Sequence, residues 1–345
     1  MSSDDLLFDL RDGIAVVTLN RPKAMNALTV DMALLLHAWL VAWADDGAVK
    51  AVIIRGAGER AFCAGGDIRA LYDAHRSGSA LTTEFFQAEY RLNRLIFHYP
   101  KPYIALIDGV AMGGGVGLSV HAGTRIASER TVFAMPETGI GLFPDVGGSY
   151  FLPRCPGSVG MYMALTGARL RAADCLYAGI VDLYIASDRH DALVAEIRGG
   201  AMIGNALARC AELPSMANLA GNRAAIDRCF SRDSVEAIEI ALRQEASEWA
   251  EKTLAAMAGK SPTSQKIAHR QLRAGAALDF DACMVMEYRL SQHIMAAHDF
   301  FEGVRALIID KDNTPRWRPG TLAQVDDTMV NGYFAPLGAA DLTFD

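Results

Sequence analysis

Short runs of aliphatic and β-branched residues alternate with stretches of helical periodicity through the first 135 residues of the chain. Residues 51–55 and 103–107 are apolar runs of strand length, of the kind that is buried on both faces of a parallel sheet. Residues 29–44 and 82–99 carry apolar side chains at helical spacing, and Thr29 stands where an N-cap is expected. Because alternating strands and helices pack in layers, the sequence predicts an α/β domain.

The rest of the chain, from about residue 147, is mostly helical in its periodicity. Ser261-Pro262 marks the start of one helix, because proline fits the first helical position. No low-complexity linker separates the two parts, so we expect the helical part to pack on the first. The polar, proline-rich tail after Asp310 is expected to run over the surface. The other helices predicted in this half cover 158–165, 172–178, 192–211, 234–257 and 279–297.

Charge and composition argue against several classes of function. A net charge of −7, with no basic tract of more than three residues, argues against nucleic-acid binding. No apolar run reaches the roughly 18 residues that span a bilayer, so no membrane association is expected. The six cysteines are scattered without a Cys-x-x-Cys pair, which indicates buried thiols in a reducing compartment. The acidic first residues resemble neither a secretory signal nor a transit peptide, so we expect a cytoplasmic location.

Three consecutive glycines follow the strand predicted at 103–107. Gly113, Gly114 and Gly115 let the backbone turn sharply and approach a ligand without interference from Cβ atoms. They also open a predicted helix, whose free N–H groups can bind an anion. Tight packing of strand on helix explains these glycines equally well, so both interpretations stand. A dinucleotide site is discounted, because Leu118 occupies the last position at which Gly-x-Gly-x-x-Gly needs glycine.

A second glycine-containing loop, residues 64–67, follows another strand and offers the same freedom of the backbone. Two loops of this kind can direct two N–H donors at one carbonyl oxygen, which is the arrangement of an oxyanion hole. We expect Asp67 to cap the helix that begins at Ile68 rather than to act as a catalytic acid.

Glu137 and Asp145 lie eight residues apart in a segment that cannot form a regular helix. Pro136, Gly139 and Pro144 interrupt it, so a loop can fold both carboxylates toward one point. Paired carboxylates in an apolar pocket carry out general acid/base catalysis. Solvated loop acids are the usual alternative, and it is less attractive here because the neighbours Met135, Ile140, Leu142 and Phe143 are apolar.

These segments resemble the enoyl-CoA hydratase/isomerase (crotonase) superfamily, and most closely its 3-hydroxyisobutyryl-CoA hydrolase branch. The resemblance covers about residues 6–320 and implies an α/β fold: a crotonase-like spiral core of ββα layers with a helical C-terminal region. Residues 1–190 would form the core, 191–320 a helical region packed on it, and 321–345 a surface tail. The run 143–148 is the most branch-specific of the matching stretches, which are 19–28, 61–68, 85–90, 101–109, 112–121, 133–153, 301–306 and 309–312.

The resemblance implies a role for individual residues. Gly66 and Gly114 would supply the two N–H groups of the oxyanion hole. Glu137 matches the residue that does the acid/base or nucleophilic work, and Asp145 matches the second carboxylate of the hydrolase branch. Glu89 matches an acid near the hydroxyl of the substrate, so the expected substrate-binding residues are Glu89, Gly114, Glu137 and Asp145. The expected contacts of the coenzyme A moiety are Lys23, Ala24, Ala64, Gly65, Gly66, Asp67 and Ile68.

One departure from the family pattern bears on the reaction. True hydratases carry a second catalytic glutamate at the end of a Gly-Gly-Gly-x-Glu run, and this chain has Gly117 there. The resemblance therefore implies hydrolysis of a short 3-hydroxyacyl-CoA thioester rather than hydration, with 3-hydroxyisobutyryl-CoA of valine catabolism as the expected substrate. Two alternatives stay open: hydratase or isomerase activity on an enoyl-CoA, and a non-catalytic acyl-CoA-binding protein.

No cofactor is expected, since coenzyme A is part of the substrate. No metal site is expected either, because no His-x-x-x-His pair has an acid nearby. The expected partner is the acyl-CoA substrate. The resemblance also allows a homo-oligomer, since members of the superfamily often form trimers and hexamers.

Overall fold

A computed structural model describes residues 4–214 and 217–344 of the chain. Over these residues the backbone forms nine strands. They are β1 (Leu6–Arg11), β2 (Ile14–Leu19), β3 (Ala51–Gly56), β4 (Ala61–Cys63), β5 (Tyr103–Ile107), β6 (Val110–Met112), β7 (Thr124–Ala127), β8 (Val132–Ala134) and β9 (Leu183–Tyr184).

The same residues form sixteen α-helices, and none of those described has the length and apolarity to cross a bilayer. The first eight are α1 (Val30–Asp45), α2 (Ile68–Ser77), α3 (Leu81–Phe97), α4 (Gly114–Gly117), α5 (Gly148–Phe151), α6 (Val159–Thr166), α7 (Ala172–Tyr177) and α8 (His190–Arg198). The others are α9 (Ile203–Cys210), α10 (Asn218–Phe230), α11 (Val235–Glu245), α12 (Glu248–Ala258), α13 (Pro262–Gly275), α14 (Phe280–Met295), α15 (Asp299–Val304) and α16 (Asp327–Tyr333).

The larger of the two sheets has six strands in the order β1-β2-β3-β5-β7-β9. β1 and β2 are antiparallel, and the later neighbours are parallel. The three short strands β4, β6 and β8 form the other sheet. A largely parallel sheet in a chain of many helices confirms the predicted α/β fold.

Packing divides the described chain into two compact units, each built from three segments. The first unit comprises the described parts of Met1–Gly66, Arg91–Phe133 and Leu170–Asn218. The second comprises Asp67–Tyr90, Ala134–Arg169 and the described part of Leu219–Asp345. The boundaries expected from the resemblance, at residues 190 and 320, stay a prediction.

The core of the first unit lies against the six-stranded sheet. Ile53, Ile104 and Ile126 come from neighbouring strands, and they pack with Leu193 and Ile197 of α8. Each of these side chains is at most 4% exposed, so removal of apolar surface from water stabilises this arrangement. Because β3 and β5 are held side by side, the short strands β4 and β6 that follow them also pair, in parallel.

Two segments that the sequence predicts as single helices are each two helices. The segment 192–211 is divided between α8 and α9 at Gly199 and Gly200, and Gly200 has a left-handed φ of 89°. The segment 234–257 is divided between α11 and α12. Ala246 ends α11 with a left-handed φ of 48°, and the side chain of Ser247 caps α12 by accepting from the N–H of Ala250.

Several local predictions are confirmed. The side chain of Thr29 caps α1 by accepting from the N–H of Met32 at 3.2 Å. Ser261 caps α13, whose first residue is Pro262. The surface course expected for the polar tail stays a prediction, and the tail contains α16, in which Val330 is buried.

Candidate active site

The two glycine loops lie side by side in the first unit, because each follows one of the paired strands β4 and β6. A Cβ atom placed on Gly65, which has a φ of 117°, would lie 3.4 Å from the carbonyl oxygen of Met112 and 3.9 Å from the nitrogen of Gly114. A Cβ atom on Gly115 would fall 2.0 Å from the carbonyl oxygen of Cys63. The close approach of the two backbones therefore requires glycine at these positions.

The N–H groups of Gly66 and Gly114 have no hydrogen-bond acceptor in the parts of the chain that the structure describes. Gly114 begins the single turn α4, and the first N–H groups of a helix have no partner within it. Most buried backbone N–H groups in proteins are paired, so donors without acceptors are suited to bind a ligand. This supports the oxyanion role of the two glycines, which stays a prediction.

The segment that carries Lys23 and Ala24 is hydrogen-bonded to the first glycine loop. Both residues are exposed in the 3-10 helix Pro22–Ala24. The N–H of Ala64 donates to the carbonyl oxygen of Met25 at 3.0 Å, and the bond that Leu28 donates to the loop measures 2.8 Å. The structure therefore brings together, in the first unit, the predicted coenzyme A contacts Lys23, Ala24, Ala64, Gly65 and Gly66.

The remaining predicted coenzyme A contacts, Asp67 and Ile68, lie at the start of α2 in the second unit. The side chain of Asp67 accepts from the N–H of Ala70 at 3.3 Å. This confirms Asp67 as the N-cap of the helix. Contact of these two residues with coenzyme A stays a prediction.

Four buried acids lie near one another in the second unit. They are Glu89 on α3, Glu137 in the 3-10 helix Glu137–Ile140, Asp145 in the loop that follows, and Glu287 on α14. None is more than 4% exposed. The first three are the acids singled out from the sequence, and the structure brings them together.

Burial and mutual repulsion govern the protonation of these acids. Burial raises the pKa of Glu137 well above its ordinary value, and the charge of Asp145 raises it further. Burial also raises the pKa of Glu89, and the charges of Asp145, Glu137 and Glu287 add to the effect. Burial raises the pKa of Asp145 to about 7, although a hydrogen bond from Tyr90 lowers it. Asp145 can therefore take up and release a proton near neutral pH.

Two of the buried carboxylate oxygens, Oε1 of Glu89 and Oε2 of Glu137, have no hydrogen-bond partner among the described residues. An unpaired buried oxygen is costly, and native proteins contain few of them. These two atoms are therefore suited to contact a substrate hydroxyl, a water molecule or a reacting carbon.

Sequence reasoning missed the residues that hold and tune these acids. The hydroxyl of Tyr90 donates to Oδ2 of Asp145 at 2.9 Å. Glu287 accepts from the N–H groups of Gly147 and Ser149, both at 2.8 Å, and its side chain contacts the Ser149 hydroxyl. The available signal was the position of Glu287, a lone acid between Met286 and Tyr288 on the buried face of a helix.

Lys260 is a cation close to Glu137. A Cβ atom on Gly139, in the same turn as Glu137, would lie 3.1 Å from the Lys260 Nζ. The next residue, Ser261, donates its N–H to the carbonyl oxygen of Thr138 at 3.0 Å, which ties the two segments together. The positive charge of Lys260 lowers the pKa of Glu137 and so opposes the effect of burial.

The amino-acid sequence of this chain is similar to those of known enzymes. A family model described as enoyl-CoA hydratase/isomerase matches residues 14–334. The mitochondrial 3-hydroxyisobutyryl-CoA hydrolase of Gallus gallus is 46% identical and covers 99% of this chain and 91% of its own length. The enzyme of the same name from Xenopus tropicalis is 48% identical and covers 95% of this chain and 88% of its own length.

Two solved structures share the fold nearly end to end. A carnitinyl-CoA dehydratase from Mycobacterium thermoresistibile has a TM-score of 0.95 at 40% identity, with 99% of each chain covered. An enoyl-CoA hydratase from Rhodobacter sphaeroides has a TM-score of 0.93 at 37% identity, with 99% of this chain and 100% of the other covered.

The comparisons overturn the prediction of a cytoplasmic location. The curated relatives from Gallus gallus, Danio rerio and Homo sapiens are all named as mitochondrial enzymes. The prediction is wrong because the features on which it rested, chiefly the scattered cysteines, do not specify a compartment. Scattered, buried cysteines indicate a reducing environment, and more than one compartment provides such an environment.

Proposed function

The chain belongs to the enoyl-CoA hydratase/isomerase family, and on that premise we propose that it hydrolyses the thioester of a short 3-hydroxyacyl-CoA. Its substrate is 3-hydroxyisobutyryl-CoA, an intermediate of valine catabolism, and its products are 3-hydroxyisobutyrate and CoA. The relatives that carry this activity in their names match nearly the whole chain.

The observation that carries the proposal is the arrangement of acids in the second unit. Glu137 and Asp145 lie in one short segment, and both side chains are buried and close enough to repel each other. Position 117, where a hydratase has its second glutamate, is a buried glycine within α4. The acids of this chain therefore suit hydrolysis, which needs a nucleophile or base and a group that exchanges protons near neutral pH.

In the proposed reaction the N–H groups of Gly66 and Gly114 stabilise the negative charge on the thioester oxygen as the tetrahedral intermediate forms. Glu137 either attacks the carbonyl carbon to give an anhydride that water then opens, or removes a proton from the attacking water. In both routes the C–S bond breaks and the CoA sulfur leaves as a thiolate that must be protonated. Asp145, with a pKa of about 7, exchanges that proton or positions the water.

Selection of the acyl group rests on Glu89. Its Oε1 is buried and unpaired, and burial raises its pKa and so favours the protonated carboxyl, which can exchange a hydrogen bond with the 3-hydroxyl of the substrate. A site built to bond a hydroxyl rejects analogues that lack it, because the buried polar group is then left unpaired.

The test is an assay of CoA release across a panel of short acyl-CoAs. We expect 3-hydroxyisobutyryl-CoA to be hydrolysed faster than isobutyryl-CoA, which lacks only the hydroxyl. A Glu137→Gln variant should lose most of the activity. If this variant keeps most of the wild-type rate, the assignment of Glu137 fails. After a single turnover in ¹⁸O-labelled water, label in the enzyme's carboxylate would establish the anhydride route, because the general-base route places ¹⁸O only in the product.

A second function is favoured by the names of the solved relatives, a dehydratase and a hydratase. Enoyl-CoA hydration is tested by adding crotonyl-CoA to the same panel. Faster turnover of crotonyl-CoA than of the hydroxyacyl thioester would replace the proposed function with hydration. Binding of CoA esters without any turnover would leave a non-catalytic acyl-CoA-binding protein.

A further inference from the structure

The backbone directly after Asp145 is held in a conformation that Val146 disfavours. Val146 has a φ of 50°, in the left-handed region, where a β-branched side chain is a marked outlier. Gly147 follows with a φ of 87°. Val146 is fully buried, so its conformation is fixed by the surrounding structure rather than by solvent. Strained residues of this kind persist only where their surroundings hold them in place.

The surroundings that hold this turn are two buried side chains from the helical part of the second unit. Glu287 accepts from the N–H groups of Gly147 and Ser149 at the start of the short helix α5. On the other side of Asp145, the side-chain amide of Gln271 donates to the carbonyl oxygen of Pro144 at 2.7 Å. Both Glu287 and Gln271 are completely buried. The backbone is thus fixed both before and after Asp145.

From this arrangement we infer that Glu287 is a positioning residue for the reaction: it holds the strained turn at Val146 and Gly147 so that the Asp145 carboxylate stays in its bond with Tyr90. The inference rests on the proposed function, in which Asp145 exchanges a proton. It adds to that function a residue from α14, which is 142 positions further along the chain.

The chemical identity of Glu287 supports this role over simple packing. Two N–H groups point at two different oxygens, Oε2 for Gly147 and Oε1 for Ser149. Glutamine has one acceptor oxygen, and its NH₂ group would meet one of these N–H groups donor to donor. A fourth buried acid also adds to the repulsion within the cluster. A purely space-filling role would be served by an apolar side chain without that repulsion.

The first variant is Glu287→Gln, which keeps the volume of the side chain. We expect kcat for 3-hydroxyisobutyryl-CoA to fall at least tenfold while KM changes less than threefold, because binding groups outside the turn are untouched. A crystal structure of the variant should show the bond between Asp145 and Tyr90 broken or lengthened. If kcat stays within twofold of wild type and that bond is intact, the inference is wrong.

Asp227→Asn is the matched control. Asp227 also lies in the second unit and accepts from the N–H of Ser158 at 2.9 Å, next to Gly157 with its left-handed φ of 55°. It therefore braces a similar turn that carries no acid of the cluster. We expect its kcat and KM to match wild type even if its melting temperature falls. An equal loss of kcat in this control would show that Glu287→Gln acts through stability alone.

Gln271→Met keeps the inference testable if Glu287→Gln does not fold. It removes the bond to Pro144 and leaves both bonds of Glu287 in place. We expect a three- to tenfold loss of kcat at nearly constant KM. An unchanged kcat would show that the reaction does not depend on how this turn is held, and it would overturn the inference. Wild-type enzyme that releases no CoA from any substrate would instead refute the proposed function. The bond between Asp145 and Tyr90 in the variant structures would still test Glu287.

Discussion

At the scale of single residues, Glu137 stands in an environment that opposes the charge its proposed role requires. To attack a carbonyl or to accept a proton it must be ionised, yet burial and the neighbouring Asp145 favour its protonated form. Lys260 contributes the positive charge that favours the ionised form, and no ion pair within 4 Å joins the two side chains in the described structure. The fraction of active enzyme should therefore depend on this lysine.

Replacement of Lys260 by methionine removes that charge while keeping an unbranched side chain. The pKa of Glu137 should rise, so the acidic limb of the profile of kcat/KM against pH should move to higher pH. The loss of activity should accordingly be larger at pH 6 than at pH 8. Lys252→Met on α12 is the control, because that lysine pairs with the exposed Glu248. Parallel profiles for wild type and Lys260→Met would contradict the role of the lysine.

Tyr90 acts on Asp145, the other carboxylate of the catalytic pair that we propose. Its hydroxyl lowers the pKa of Asp145 by donating to the carboxylate, so Tyr90→Phe should raise this pKa above about 7. We expect the limb of the pH profile that reports Asp145 to move upward. The free energy of unfolding should fall by roughly 1.5–3 kcal/mol, the usual contribution of a hydrogen bond to a charged group.

Tyr103→Phe is the control that separates the loss of stability in Tyr90→Phe from the shift of its pH profile. Tyr103 is as buried as Tyr90, and its hydroxyl donates to the carbonyl oxygen of Leu118 at 3.3 Å in the first unit. This variant should lose some stability and keep the wild-type pH profile. If it shifts the profile as far as Tyr90→Phe does, the shift does not come from Asp145.

How far these residues could be found from the sequence depends on the range of their contacts. Glu137 and Asp145 stood out because prolines and glycines break a short apolar segment around them, and that signal is local. Tyr90 and Glu287 act through bonds to residues 55 and 140 positions away, and no local pattern reports such bonds. Local sequence patterns therefore revealed the proposed reacting groups but not the residues that tune and hold them.

At the scale of helices and strands, features with a local signal in the sequence could be predicted, and features that depend on contacts between elements could not. The strands at 51–55 and 103–107 were predictable because an apolar run that is buried on both faces leaves little choice of structure. The break between α11 and α12 was not, because Ala246 is a good helix former that nevertheless adopts a left-handed φ at the end of α11. The capping bond of Ser247 and the packing of the two helices outweigh the intrinsic preference of this residue.

Ala246→Gly tests that account. Ala246 is exposed, so glycine removes the steric cost of a left-handed φ without leaving a cavity. The cost of that conformation exceeds the extra chain entropy of glycine, so the free energy of unfolding should rise by about 0.5–1 kcal/mol.

The control for this prediction is a substitution that should lower the free energy of unfolding. Ala255 is also exposed but lies within α12, so Ala255→Gly should lower the free energy of unfolding by about 1 kcal/mol. Urea denaturation of the two variants measures both values. A loss of stability in Ala246→Gly would show that the left-handed conformation of this residue carries no cost.

At the scale of the whole molecule, the buried acids make folding depend on pH in an unusual direction. In the unfolded chain these acids ionise near their ordinary pKa, whereas in the folded chain the pKa of Asp145 is about 7 and that of Glu287 about 8. The folded state therefore binds more protons above pH 4.5, and stability falls as the pH rises toward 8. Acids with a lowered pKa, such as Glu302 at about 2, act only at lower pH.

Three histidines that are buried or half-buried have the opposite effect on the pH dependence of stability. Burial lowers the pKa of His37, His190 and His269 below 6.5, so the unfolded chain binds protons there that the folded chain does not. Below about pH 6.5 they oppose the effect of the acids. This opposition fades as the unfolded histidines lose their protons above pH 6.5, so the acids dominate between pH 7 and 8. The free energy of unfolding should decrease there with a slope of up to about 1.4 kcal/mol per pH unit for each proton.

Urea denaturation at several pH values from 7 to 8 measures this slope, and Glu287→Gln assigns part of it. The variant has no acid to titrate at this position, so its stability should fall less steeply with pH than that of wild type, whatever its stability at one pH. Glu248→Gln is the control, because the pKa of Glu248 is lowered by Lys252 and this acid is ionised in both states throughout the range. A stability that rises from pH 7 to 8 would mean that the acids are ionised when folded, and their proposed proton exchange near neutral pH would fall with it.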